Sequence, residues 1–108
     1  MQNPIETKDN RRSSQRFTVL LKAQYYFENN HSYRDCTIID ISRSGAAIML
    51  PKDENAAKSK IIFLEILKGL ESISLRGGIV WITLIEHGYL AGIKFTKLID
   101  INTFKHLG

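Results

Sequence analysis

Two short stretches of this chain carry side chains whose type and spacing can do chemistry. The first is "NRRSSQR", residues 10–16, where Arg11, Arg12 and Arg16 are separated only by small polar residues. Guanidinium groups are planar, permanently charged and carry forked donors. Phosphate oxygens match that fork, and the flat face stacks on a nucleobase. In an extended arm Arg12 and Arg16 would stand about 13 Å apart at roughly 3.3 Å per residue. A bent path through Ser13, Ser14 and Gln15 would bring them onto one ligand. The second stretch is "DISRSG", residues 40–45. A carboxylate at Asp40 can accept hydrogen bonds from the donor edge of a purine, and Ser42 can both donate and accept. Gly45 permits a positive φ or a close backbone approach. Alone, the first is an ordinary solvated basic arm and the second an ordinary turn. Together they offer phosphate contacts, base stacking and base-edge recognition.

Other chemistry is hard to find. His31, His87 and His106 are scattered, and none has a cysteine or second histidine at metal-ligand spacing. There is no nucleophile elbow, Walker loop or dinucleotide fingerprint. Cys36, the only cysteine, sits in a strand-like run and reads as a small buried hydrophobe. It allows no internal disulfide, which suits a reducing cytoplasm. The acidic residues are dispersed and form no evident acid/base pair. The reading is therefore a binding protein and not an enzyme, with no catalytic residues, no metal and no cofactor. The net charge of +4 and the pI near 9.3 point toward an anionic partner.

The elements that must position these groups follow from periodicity. A length of 108 residues suggests one domain. Residues 1–10 have little apolar content and are expected to be a flexible arm, leaving residues 11–108 as a single domain. From Phe17 the apolar period is two, so Phe17, Val19, Leu21, Ala23 and Tyr25 share one strand face. "YRDCTIID", "AAIML", "IIFLEIL", "SISLRGGIVWITLIE" and "YLAGIKF" read as five further strands separated by turn residues. Gly77 and Gly78 are expected to mark a bulge or sharp bend in the fifth. Asp100 is a helix N-cap candidate before Ile101, Phe104 and Leu107. The fold class is all-β, an antiparallel barrel or sandwich closed by a short C-terminal helix. No apolar run is long enough to span a membrane, and no secretory signal opens the chain.

With these residues in place, the sequence resembles the PilZ domain family of bacterial cyclic di-GMP receptors. The R-x-x-x-R pattern is present as Arg12 and Arg16 in "RSSQR". The D/N-x-S-x-x-G pattern is present as Asp40, Ser42 and Gly45 in "DISRSG". "GGIVWI", with Val80 and Trp81, and "YLAGIKF", with Gly92 and Phe95, resemble later strands of the family. Ser44 stands where many relatives carry glycine. The resemblance covers about residues 10–108. It implies a six-stranded antiparallel barrel with a C-terminal helix. It implies that Arg12 and Arg16 clamp phosphates and guanine faces, while Asp40, Ser42 and the backbone near Gly45 hold a guanine. Arg11 is a third cationic candidate. The implied ligand is cyclic di-GMP. The implied receptor is cytoplasmic; ligand binding orders the arginine arm and signals in trans to an unidentified protein of motility, pilus or polysaccharide machinery.

Two rivals stand beside this reading. One is a PilZ-like adaptor that binds no nucleotide and serves only protein contacts. The other is a small barrel that stacks single-stranded nucleic acid on aromatics such as Tyr25, Tyr26 and Tyr33. The first reading expects no nucleic-acid partner.

Overall fold

The computed structural model describes residues 16–28, 30–54 and 60–100. Arg11, Arg12, the expected N-terminal arm and the expected C-terminal helix over residues 101–108 lie outside the described residues. Six strands follow one another: β1 (Phe17–Phe27), β2 (Asn30–Ile41), β3 (Gly45–Pro51), β4 (Ile61–Lys68), β5 (Glu71–Ile85) and β6 (Gly88–Phe95). Every pairing is antiparallel. The sheet closes in the order β1-β2-β3-β6-β5-β4, with β4 returning to β1. The chain is thus the all-β, six-stranded antiparallel barrel that its alternation and resemblance implied.

Alternation builds the core. In β1, Val19, Leu21, Ala23, Tyr25 and Phe27 are buried, while Thr18, Leu20 and Lys22 face solvent. Ile38, Ile48, Ile62, Leu64, Ile66 and Ile79 fill the interior from the other strands. β-Branched residues suit a pleated, half-buried surface. Each such side chain contributes roughly 1.5–3 kcal/mol when removed from water.

Closure forces the strands to tilt. A circuit through Gly45, Lys94, Gly78 and Ile61 meets the Glu28 amide, at the far end of β1 from Arg16. Such a stagger is what a closed barrel of few strands requires. The interior near Tyr25 is sealed by a polar clasp. The Tyr25 hydroxyl donates to the Glu54 carboxylate. Arg34 donates to Glu54 at 3.1 Å and to Asp53 at 2.7 Å. The Arg34 hydrogen bond holds the Asp53 carboxyl below its ordinary range. The clasp satisfies a buried phenol and fixes the chain just after β3.

Besides register shifts between β1 and β2, irregularities in β2 and β5 reverse which face a residue presents. In β2, Ile38 pairs with Ile48 but Asp40 pairs with Ala47, so Ile39 is an extra residue. In β5, Ile79 pairs with Ile93 but Trp81 pairs with Gly92, so Val80 is extra. The break in β5 therefore falls at Val80 and not at Gly77 and Gly78, where it was expected. Those glycines remain paired on both sides, with β4 and with β6. Gly77 is needed where β5 crowds β6, since a Cβ there would press on the Lys94 carbonyl, whereas a Cβ at Gly78 would make only ordinary contact. Each bulge turns the residues beyond it to the opposite face.

Candidate ligand-binding site on the outer barrel wall

Asp40 has the same parity as the buried Cys36 and Ile38, so strict alternation would send it into the core. The bulge at Ile39 turns it outward instead and turns Ile41 inward, where it is fully buried. Opposite Asp40 stands Thr18, two residues from Arg16. Arg16 Nη1 donates to Asp40 Oδ1 at 2.8 Å, with side-chain exposures of 58% and 27%. The last arginine of the first stretch and the carboxylate of the second thus meet at the rim of the barrel. An exposed pair of this kind contributes about 0.2–1 kcal/mol. It is weak enough to rearrange around a ligand, and the guanidinium keeps further donors beyond the one it uses.

Ser42 is turned toward its own loop. It is buried, and its Oγ accepts the amides of Ser44 and Gly45 at 3.3 and 3.2 Å. The Ser42 amide donates to the Gly45 carbonyl at 2.8 Å, and its hydroxyl reaches the same oxygen. The side chain is engaged in closing the turn. The turn is also braced from outside: Phe95 donates to the Ser44 carbonyl at 2.7 Å and Ile99 to the Arg43 carbonyl at 2.9 Å. Gly45 answers a close approach, as expected, but to the protein's own backbone. A Cβ there would collide with the Ile93 carbonyl of β6.

One functional candidate was missed by sequence reasoning. The bulge at Val80 turns Trp81 to the outer face, out of the parity it shares with the buried Ile79. Its indole lies over Gly92, where any Cβ would run into the ring, yet it remains 39% exposed. Cross-strand pairing then links Thr18, Asp40, Ala47, Gly92 and Trp81 in one row across five strands. Between the Asp40 and Trp81 backbones the row carries only the small residues Ala47 and Gly92, and the indole covers Gly92. At about 4.8 Å per strand, the row from Asp40 to Trp81 spans roughly 14 Å of wall. A flat surface, a hydrogen-bond acceptor at one end and an aromatic ring at the other suit a planar base. The juxtaposition of Trp81 with a glycine on the next strand was the available signal, but it becomes legible only once the register is known.

Residues 10–108 match the family described as the PilZ domain. The chain belongs to the PilZ domain family. PilZ domains are generally receptors for cyclic di-GMP and form no known catalytic family. Among curated proteins, none matches the chain in sequence. Solved structures share the fold. The PilZ domain of CeSA from a cellulose-synthesizing bacterium is 13% identical, with a TM-score of 0.60 over 82% of this chain and 86% of that one. The Bacillus subtilis inhibitor of motility MotI/DgrA is 15% identical, with a TM-score of 0.66 over 98% of this chain and 54% of that one. Borreliella burgdorferi PlzA, solved in complex with cyclic di-GMP, is 22% identical, with a TM-score of 0.50 over 93% of this chain and 36% of that one. The chain therefore spans about half of MotI and about a third of PlzA.

Among the described residues, no group of three His, Cys, Asp or Glu side chains gathers to hold a metal. No helix among them is long and apolar enough to cross a membrane. Tyr25 is core. Tyr26 stacks on Phe63 at 4.8 Å with rings 10° from parallel, and Tyr33 meets Tyr26 edge-on. These rings are already engaged with one another.

Proposed function

We propose that this PilZ domain is a receptor for cyclic di-GMP that seats the ligand on the wall between Asp40 and Trp81. The observation that carries this reading is the Arg16–Asp40 contact, which joins the two motifs at one rim. Asp40 accepts hydrogen bonds from the guanine edge, and Trp81 lies against a ring of the ligand. Arg12 and Arg16 take the phosphates, and Arg11 adds a cation to the same cluster. Ser42 and Gly45 serve by shaping the turn. Closure of residues 11–16 over the ligand changes the surface at this rim, and a downstream protein reads that change in trans. The cyclic di-GMP bound by PlzA and the motility role in MotI's name are consistent with such a receptor.

Closure costs about 1–2 kcal/mol per residue fixed. Charge-assisted hydrogen bonds of roughly 1.5–3 kcal/mol each and stacking of about 1–3 kcal/mol per base offset it. Calorimetric titration with cyclic di-GMP tests the reading. Arg12→Ala and Arg16→Ala should each weaken binding at least tenfold, while Asp40→Ala should erode discrimination against cyclic di-AMP. Equal binding by all the proteins, or none by the wild type, would defeat it. In the latter case a nucleotide-independent adaptor becomes the better account.

A further inference from the structure

We propose that Lys94 is a further phosphate-binding residue of this site, supplied by the barrel wall and belonging to neither motif. The inference rests on the cyclic di-GMP reading and deepens it. Ile93 and Phe95 point into the core, so Lys94 between them points out, and it is exposed. It follows Gly92 by two residues on the same outer face of β6, and the Trp81 ring lies over that Gly92. Its cross-strand partners are glycines on both sides, Gly45 on β3 and Gly78 on β5. Neither in-register partner therefore brings a side chain against the lysine, and its stem can lean along the edge of the indole that covers Gly92. Among the described residues it has no ion-pair partner. Two strands and two residues separate it from Asp40, on the order of 12 Å between Cα atoms. A dinucleotide seated on the row therefore reaches it.

The chemistry completes the site. Cyclic di-GMP carries two phosphates, and Arg16 stands at the Asp40 end of the row. The other end has an aromatic ring but no motif cation. An ammonium there meets the second phosphate as a point charge. It also gives the wall an attraction for the ligand that does not depend on residues 11–16.

The test titrates the full chain with cyclic di-GMP at several salt concentrations, following calorimetric heat and the fluorescence of Trp81, the chain's single tryptophan. Lys94→Gln should weaken binding about tenfold and flatten the salt dependence, because one screened charge contact is gone. Lys94→Arg should retain most of the affinity. Lys22→Gln, an exposed lysine on β1 outside the row, should bind as wild type. If the wild type binds and Lys94→Gln matches it in affinity and salt dependence, the lysine has no such role and the receptor reading stands. If Lys94→Gln and Lys94→Arg both fail with lowered melting temperatures, the residue is structural and the inference falls. A wild type that does not bind removes the receptor reading itself.

Discussion

Arg16 and Ser42 belong to the two sequence motifs, yet they do opposite work. Arg16 is more than half exposed and holds Asp40 from outside. Removing it should leave the barrel's stability within about 0.5 kcal/mol of wild type, as for most surface changes. Ser42 is buried, and two backbone amides depend on its oxygen. Ser42→Ala should destabilise the fold by about 1–3 kcal/mol, since it strips buried donors of their acceptor. Urea denaturation of the two variants checks the contrast. A Ser42→Ala protein as stable as wild type would mean that the turn closes without the hydroxyl. The types of these residues were legible in the sequence. That one holds a carboxylate on the outer surface and the other its own backbone was not, because residue type alone does not say which partner a polar side chain meets.

At the level of elements, period-two patterning located all six strands to within a few residues, and it assigned the core of β1 correctly. It failed where a single inserted residue reverses the faces. Read by alternation, Asp40 follows Cys36 and Ile38 inward, and Trp81 follows Ile79. The bulges at Ile39 and Val80 overrule both, and they do so at the two side chains that bracket the proposed ligand seat. A bulge has no strong residue signature of its own. Gly77 and Gly78 drew attention to β5, but Gly77 marks a close approach to β6 and Gly78 meets only ordinary contact. The seat depends on Gly92 as well, since its missing Cβ lets the indole lie flat. Gly92→Ala should lift Trp81 off the wall, cost about 1–3 kcal/mol through overpacking and weaken the ligand-induced fluorescence change. Unaltered tryptophan emission in that variant would show that the ring does not rest there.

For the whole molecule, closure of the barrel removes free sheet edges and buries groups whose ionisation then matters. Burial pushes the Cys36 thiol from 9.0 to about 12, with Asp35 adding to the effect. Burial and the bond to Glu54 push the Tyr25 phenol well above 10.0. Both groups stay protonated in the barrel at pH values where the unfolded chain has released those protons. Their contribution is complete below about pH 9 and is lost as pH rises from there through about 12. Melting temperature should therefore decline across that window, and Cys36→Ala should begin its decline nearer pH 10, where tyrosine takes over. A flat profile to pH 11 would contradict this burial. The charge of +4 fits an anionic ligand, but charge alone does not say where it sits. Amide and indole NMR shifts during titration with cyclic di-GMP answer that most directly. The account predicts that the changes concentrate on Arg16, Thr18, Asp40, Ala47, Gly92, Lys94 and the Trp81 indole N–H. Changes confined to Tyr26, Tyr33 and Phe63, or no changes at all, would contradict it.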